Sequence, residues 1–369
     1  MSYNNIFLNK TILITGLTGF KGSWLAIWLT HLGAKVIGLS VDIPTEPSNF
    51  VVSNVNEYVK DLRVEIRDAK RVRQLVLDSQ PDFVFHMAAQ ALVRKSYENP
   101  LDTLTTNSIG TANVLDALRY LEKKVVAIMI TSDKAYDNVE WSWGYREIDK
   151  LGGVDPYSAS KGMAEIAIRS YVESIFNKPD IDVRVGITRA GNVIGGGDWA
   201  KDRIVPDCMN AWSHSTVVDI RNPNATRPWQ HVLEPLSGYL SLAQELYARE
   251  DKNGEPYNFG PPANQNYTVG ELIDEMSSYW ENVRWNDISK DFVHLHEAGL
   301  LKLNCDKALS DLKWLPTLQF EETVRMTVEW YKEFYERNSE TMYDYSLSQI
   351  IEYTQLAHSR KLDWAKNHE

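Results

Sequence analysis

The chain has 369 residues, 43% of them hydrophobic and 24% charged, which is the composition of a soluble globular protein long enough for two domains. Its formal net charge of −11 argues against nucleic acid or an anionic membrane as a partner, so an anionic ligand must depend on a few local arginines. The two cysteines, Cys208 and Cys305, predict no disulfide framework and fit a reducing, cytoplasmic compartment. Lys21 and three glycines interrupt the apolar segment 11–29, so we predict neither a membrane span nor an export signal. The eight histidines show no spacing typical of a metal site.

The first predicted strand, Thr11 to Thr15, runs directly into a glycine-rich turn, and a helix is predicted from Phe20 to His31. Glycines in a strand-turn-helix unit permit a tight turn and a close backbone approach to a pyrophosphate, toward which the helix directs its amino end. The pattern therefore predicts a dinucleotide site that includes Gly16, Gly19, Phe20, Lys21 and Gly22.

The second predicted strand, Lys35 to Leu39, should end where the adenosine ribose is bound, a place usually held by an acid in NAD-binding proteins. Ser40 takes that place, with Asp42 two positions on. A serine can hydrogen-bond a ribose hydroxyl but neither repels nor neutralises a 2′-phosphate. The only feature of this residue that favours NAD over NADP is that it carries no positive charge.

The alternation of predicted strands and helices continues to residue 188. The elements expected after residue 60 are strands at 63–66, 82–86, about 125–131 and 183–188, and helices after Asp68 and from about 101 to 121. Right-handed crossovers between them predict an α/β fold, a Rossmann-type doubly wound parallel sheet. Ala88 and Ala89 follow one of these strands, where small side chains would let the chain pass close to a dinucleotide; tight helix packing is the alternative.

Three polar residues, Ser132, Asp133 and Lys134, follow the predicted strand that ends at Thr131. The carboxyl ends of strands are where open α/β sheets bind ligands, so a hydroxyl, a carboxylate and an amine are expected at the ligand site.

Asp155 and Pro156 look like the cap and first position of a helix, which places Tyr157 and Lys161 one turn apart on one face. A nearby ammonium favours the phenolate form and should lower the pKa of the phenol, which makes Tyr157 a candidate base. A surface pair at helical spacing by chance is the alternative.

A second, smaller, mixed α/β domain is expected to begin with the loop Arg189 to Trp199, because three consecutive glycines fit neither a helix nor a central strand. Three arginines follow at 203, 221 and 227, and Arg227 beside Pro228 and Trp229 is best placed to hold a diphosphate; solvated surface is the alternative. The expected domains are 1–188 plus about 229–260 for the dinucleotide, and about 189–228 plus 261–345 for the substrate, with a C-terminal tail at 346–369.

These features together resemble the extended short-chain dehydrogenase/reductase superfamily over nearly the whole chain. Within it, five separated segments are similar to the family of CDP-glucose 4,6-dehydratases: 16–22, 131–138, 143–147, 195–199 and 227–231. Two residues depart from the family pattern, Ala135 where cysteine is usual and Glu65 where an aspartate normally meets the adenine.

The resemblance implies an enzyme that binds NAD, converts CDP-glucose to CDP-4-dehydro-6-deoxyglucose for the deoxysugars of surface polysaccharide, and forms a homodimer or homotetramer through helices. The cofactor site would then also contain Ser40, Glu65, Ile66, Ala88, Ala89, Gln90, Tyr157 and Lys161. Sequence alone leaves open another nucleotide-hexose dehydratase, a sugar-nucleotide 4-epimerase and a non-catalytic NAD-binding regulator.

The resemblance also implies residue roles. Tyr157 would take the C4 hydroxyl proton as hydride passes to NAD, with Ser132 sharing the hydrogen bond and Lys161 lowering the pKa of the phenol. Lys134 would then remove the C5 proton and Asp133 would protonate the departing C6 hydroxyl, before hydride returns to C6. Related dehydratases carry a glutamate in place of Lys134, so a surface lysine paired with Asp133 is the alternative. The diphosphate would be held by Asn192, Arg203, Arg227 and His231.

Overall fold

A computed structural model describes residues 2–289, 300–337 and 341–366 of the chain. The strands of these residues are β1 (Thr11–Thr15), β2 (Lys35–Ser40), β3 (Lys60–Arg63), β4 (Phe83–His86), β5 (Val125–Ile130), β6 (Val183–Ala190), β7 (Val193–Ile194), β8 (Val218–Ile220), β9 (Thr226–Arg227), β10 (Gln230–His231), β11 (Pro256–Phe259), β12 (Tyr267–Thr268) and β13 (Trp285–Asp287). The helices are α1 (Phe20–His31), α2 (Asn49–Val52), α3 (Ala69–Ser79), α4 (Val93–Glu98), α5 (Pro100–Leu104), α6 (Gly110–Leu118), α7 (Pro156–Tyr171), α8 (Ile204–Ser213), α9 (Leu233–Ala248), α10 (Val269–Ser277), α11 (Asp306–Leu312), α12 (Phe320–Glu336) and α13 (Tyr343–Ser359).

Seven parallel strands form the central sheet in the order β3-β2-β1-β4-β5-β6-β11. All six residues of β5 are buried, as expected for a parallel strand whose two faces are covered by helices. The strand order reverses between β1 and β4, which opens a crevice at the carboxyl ends of the sheet. This architecture confirms the predicted Rossmann-type doubly wound fold.

Three short two-stranded sheets lie outside the central sheet, and all of their strands except β10 fall in the part of the chain expected to bind substrate. β7 pairs with β10, β8 with β13 and β9 with β12. Residues 290–299 and 338–340 of the expected substrate domain, and 367–369 of the expected tail, lie outside the described residues.

Two predicted elements differ from the structure. The strand expected at 63–66 spans Lys60–Arg63. The helix expected at about 101–121 is divided into α5, a wider helical turn at Thr105–Ile109, and α6, and it is preceded by α4. Pro100 begins α5 because proline tolerates the first helical position, where its missing N–H is not needed.

Most of the expected C-terminal tail is the helix α13, which packs against α1. The rings of Trp28 and Tyr353 meet edge to face at 5.7 Å between centroids. The Tyr353 hydroxyl also donates to the carboxylate of Glu234 on α9 at 2.8 Å, and this carboxylate accepts the backbone N–H groups of Thr317 and Leu318. Glu234 therefore joins three remote segments in the core.

Within the described residues, every helix is too short or too polar to span a membrane.

The free energy of unfolding is expected to fall between pH 4.5 and about 7 because of Glu234. Burial raises the pKa of this carboxyl from 4.5 to about 7, although its hydrogen bonds oppose the shift. The folded protein therefore binds the proton more tightly than the unfolded chain does, and loses that advantage as pH rises through this window. Glu234→Gln should reduce this pH dependence of the free energy of unfolding, by up to about 3 kcal/mol across the window. Chemical denaturation at several pH values measures the change. The same slope in this variant and in the exposed control Glu250→Gln would contradict the assignment.

Candidate active site

The glycine turn between β1 and α1 has no room for side chains. Gly16 has a φ of +77°, and a Cβ on it would lie 2.8 Å from the backbone nitrogen of Ala88. A Cβ on Gly22 would lie 2.1 Å from the Gly16 carbonyl oxygen. Gly19 caps α1 without a side chain, so N–H groups of the first helical turn are open to an anion. This cradle fits the pyrophosphate of a dinucleotide.

Two further predicted cofactor residues, Ser40 and Glu65, are engaged within the protein. The Ser40 hydroxyl is buried and accepts the Thr18 backbone N–H at 3.2 Å. Both Glu65 carboxylate oxygens accept from Arg67, which lowers the pKa of Glu65. Ser40 thus fixes the glycine turn by accepting this N–H, and it could donate its hydroxyl proton to a ribose.

The segment after β4 passes beside β1, as its small residues predict. Thr15 Oγ1 accepts the backbone N–H of Ala88 at 3.1 Å, and Ala89 follows half-buried. Gln90 is buried, and its side chain donates to Thr103 Oγ1 at 2.9 Å. Ile66, another predicted cofactor residue, is buried against Gly110.

The polar residues after β5 form one tight helical turn. Ser132 caps the turn Asp133–Ala135, accepting the Lys134 backbone N–H at 3.2 Å and donating to Asp133 Oδ1 at 2.9 Å. Burial raises the pKa of the Asp133 carboxyl, which the charges of Lys134 and Lys21 oppose. A carboxyl with a raised pKa is suited to donate a proton. Lys134 is half-buried at the same turn.

Helix α7 begins as predicted, with Asp155 accepting the backbone N–H of Ser158 at 2.9 Å. Lys161 Nζ lies 5.9 Å from the centroid of the Tyr157 ring, so the pair is real and buried. In this structure burial raises the pKa of the Tyr157 phenol to about 12, a shift that its hydrogen bond with Ser132 opposes, and the lowering effect of Lys161 stays a prediction. Burial also lowers the pKa of Lys161 to about 8.

Lys21 belongs to this cluster as well as to the glycine turn. Desolvation, followed by the positive charges of Arg203 and Lys161, lowers the pKa of Lys21 to about 8, while Asp133 opposes that shift. The structure therefore brings together, at the carboxyl end of β5, the residues Lys21, Ser132, Asp133, Tyr157, Lys161 and Arg203. Sequence reasoning placed Lys21 only with the cofactor, although its position in the first turn of α1 directs it toward the same crevice.

The four predicted diphosphate residues do not share one environment. Arg203 pairs with Asp198 at 2.7 Å and also lies within electrostatic reach of Tyr157. Asn192 and Arg227 are half-buried, and Arg227 Nη1 donates to the Thr226 carbonyl at 2.8 Å. His231 instead lies in the core with no exposed surface, edge-on to Trp24. We therefore leave His231 out of the proposed diphosphate site.

Sequence reasoning missed a buried ion pair beneath the cluster, formed by Glu165 of α7 and Arg189 of β6. The signal available was a glutamate four residues after Lys161 on a helix face expected to be buried, because a buried charge requires a partner.

Known proteins resemble this chain over most of its length. The family model described as GDP-mannose 4,6 dehydratase matches residues 13–327. The CDP-glucose 4,6-dehydratase of Salmonella typhimurium is 45% identical over 332 residues, which are 89% of this chain and 92% of the relative. The human dTDP-D-glucose 4,6-dehydratase is 25% identical over 334 residues, 88% of this chain and 90% of the relative.

Solved structures share the fold. A dTDP-glucose 4,6-dehydratase from Bacillus anthracis in complex with NAD has a TM-score of 0.72 and 20% identity, over 90% of this chain and 98% of that one. The UDP-glucose 4-epimerase of Thermotoga maritima with UDP-glucose has a TM-score of 0.74 and 23% identity, over 88% of this chain and 100% of that one. The family match and the Salmonella relative confirm the predicted resemblance: the chain belongs to the GDP-mannose 4,6 dehydratase family.

Proposed function

We propose that this protein is an NAD-dependent dehydratase that converts CDP-D-glucose to CDP-4-dehydro-6-deoxy-D-glucose in deoxysugar biosynthesis. The observation that carries the proposal is the 45% identity to the Salmonella CDP-glucose 4,6-dehydratase over nine-tenths of both chains. The buried cluster at the end of β5 supports it, because an acid, an amine and a phenol–ammonium pair meet there. An epimerase would need the last pair but has no use for the acid.

NAD would supply the hydride chemistry, taking hydride from C4 and returning it to C6. Tyr157 would accept the C4 hydroxyl proton, with Ser132 sharing that hydrogen bond and the Lys161 ammonium stabilising the phenolate. The C4 ketone makes the C5 proton acidic, and Lys134 would remove it and then return a proton to C5 once hydride has reached C6. Asp133 would protonate the leaving C6 hydroxyl, a role that its raised pKa favours.

The cofactor and the substrate would be bound by two different regions of the chain. We propose that the cofactor is held by Gly16, Gly19, Phe20, Lys21, Gly22, Ser40, Glu65, Ile66, Ala88, Ala89, Gln90, Tyr157 and Lys161. For the substrate diphosphate we retain Asn192, Arg203 and Arg227, because each has exposed surface. Residues 189–228 plus 261–345 would form the nucleotide-sugar domain, and residues 1–188 plus 229–260 the NAD domain.

Mass spectrometry of the products from CDP-, dTDP-, UDP- and GDP-glucose tests both the reaction and the base. We expect loss of one water from CDP-glucose in preference to the other three. With deuterium at C4 of the sugar, the label should appear in the new methyl group. An unchanged product mass would indicate an epimerase, and a methyl group without label despite turnover would refute the hydride return.

A homodimer through α7 and its neighbouring helices is the assembly that we propose. Met163 and Ile166, one turn apart on α7, are exposed, Ile166 by 64%, and Leu101 and Ile109 are exposed on the adjoining helical segment. An apolar face on two packed helices suits an isologous contact with a second copy.

Ile166→Glu is expected to convert the dimer into a monomer, because the two-fold contact would bury two unpaired carboxylates at a cost of several kcal/mol. Sedimentation velocity measures the change. Ile148→Glu is the matched control, since Ile148 is 85% exposed and belongs to none of these helices. A dimer that persists in Ile166→Glu would refute this interface.

We also propose a cytoplasmic location. Cys208 and Cys305 are both unpaired, which suits a reducing compartment.

A further inference from the structure

A buried ion pair lies directly beneath the proposed catalytic residues. Glu165 is one helical turn after Lys161 on α7, and Arg189 is on β6. The side chains are 2% and 3% exposed, and Arg189 Nε donates to Glu165 Oε1 at 2.8 Å while Nη2 donates to Oε2. The contact is bidentate, so it fixes both the distance and the orientation of the helix relative to the strand.

The pair also holds both ends of the turn that carries Ser132, Asp133 and Lys134. On one side of that turn, Thr131 Oγ1 donates to Glu165 Oε1 at 2.7 Å. On the other side, Arg189 Nη1 donates to the Tyr136 hydroxyl at 2.6 Å, and that hydroxyl donates to Asn258 Oδ1 at 2.8 Å. Thr131 and Tyr136 bracket the proposed acid and base, so one ion pair orients the turn and the Tyr157 helix together.

The same network reaches the loop that follows the turn. Arg189 Nη1 donates to the backbone carbonyl of Glu147 at 3.1 Å, and the Glu147 carboxylate accepts the Asn258 backbone N–H at 2.9 Å. The loop, the turn, α7 and β11 are therefore tied to a single guanidinium.

We propose that Glu165 and Arg189 are positioning residues for the dehydration, holding the Tyr157–Lys161 helix face and the Ser132–Lys134 turn in one register. The inference rests on the proposed function. Stability alone does not account for such a pair, because apolar side chains of similar volume often replace a buried pair without loss of stability.

Arg184, on the same strand, shows the contrasting arrangement. Its guanidinium is also buried, 8% exposed, but its partners Asp182 and Glu250 lie at the surface. Arg184 contacts no residue of the catalytic turn or of α7 among its hydrogen bonds within the described chain. It is therefore a matched control for a buried arginine without the positioning role.

Glu165 also acts on the charge of Lys161. Its carboxylate raises the pKa of Lys161, against the larger lowering effect of burial. Within the described part of the chain, the other titratable groups that face Lys161 are Lys21 from α1, Tyr157 from α7 and His86 from β4. Burial keeps His86 neutral by lowering its pKa to about 3. Loss of the Glu165 charge should therefore lower the pKa of Lys161 further, and the ammonium should be lost at a lower pH.

The test compares Glu165→Gln, the double variant Glu165→Leu/Arg189→Met and the control Arg184→Met in the full-length protein with NAD and CDP-glucose. For the first two we expect kcat to fall roughly 10- to 100-fold, as for a displacement of about 1 Å at the reacting atoms, with little change in KM. The alkaline limb of the kcat profile should move to lower pH in both. Arg184→Met should keep the unsubstituted kcat and pH profile, whatever its thermal stability.

Thermal unfolding and NAD affinity are measured alongside. A folded double variant with the unsubstituted kcat and pH profile would overturn the positioning role. A double variant that does not fold would also overturn it, because the pair would then be structural. Failure of the unsubstituted protein to dehydrate any nucleotide sugar would instead refute the proposed function, so the two failures remain distinct.

Discussion

Tyr157→Phe is expected to lower the rate of dehydration by roughly 10²- to 10⁴-fold, because it removes the hydroxyl that would accept the C4 proton. The ring should remain in place, since it is buried on α7 and differs from phenylalanine by one atom. Without the phenol, oxidation at C4 has no base, so no NADH should appear in a single turnover. Binding of CDP-glucose should change little, because the substitution leaves the proposed diphosphate residues Asn192, Arg203 and Arg227 unchanged.

The measurement is NADH absorbance in rapid mixing, together with product mass in the steady state. Tyr171→Phe is the matched control, because Tyr171 ends the same helix and has no proposed role in the reaction. Formation of NADH at the unsubstituted rate in Tyr157→Phe would assign C4 deprotonation to another group.

The helices whose ends are marked by neighbouring residues could be predicted from the sequence. Phe20 to His31 was predicted with its observed bounds, because the glycine turn before it and Gly33 after it mark both ends. Asp155 and Pro156 likewise marked the start of α7.

Elements that depend on distant partners were not predictable in this way. The helix α13 depends on contacts with Trp28 and Glu234, and both residues lie more than 100 residues earlier in the chain. Its own sequence therefore did not reveal it. The helix predicted at 101–121 did not include α4. Asn99 and Pro100 separate α4 from α5, and the polar sequence of this stretch does not show that a short helix lies on each side of the break.

The site was predictable where side chains follow from strand and helix geometry. Ser132, Asp133, Tyr157 and Lys161 converge because the end of β5 and one face of α7 meet. The burial of His231 was not predictable, since β10 has only two residues, too few for a pattern that would show that both are buried. The Tyr157 pKa also required the structure, because burial is its largest cause and the extent of burial does not follow from the local sequence.

Lys134→Met is expected to separate the two halves of the reaction. Methionine keeps the length of the side chain but cannot remove a proton, so NADH should form while loss of water falls by roughly 10²- to 10⁴-fold. Exchange of the C5 hydrogen with deuterated solvent should disappear. Lys150→Met is the matched control, because Lys150 is an exposed lysine of the following loop paired with Asp137.

Asp133→Asn should give the complementary result, because an amide cannot protonate the C6 hydroxyl while Lys134 can still remove the C5 proton. C5 exchange should then persist without dehydration, provided that NADH still forms. The two variants thus assign base and acid by opposite patterns rather than by loss of activity alone. If Lys134→Met dehydrates at the unsubstituted rate, the lysine serves only as a charge partner of Asp133. The C5 base must then be another group in the cluster, such as Lys21, whose pKa burial lowers to about 8.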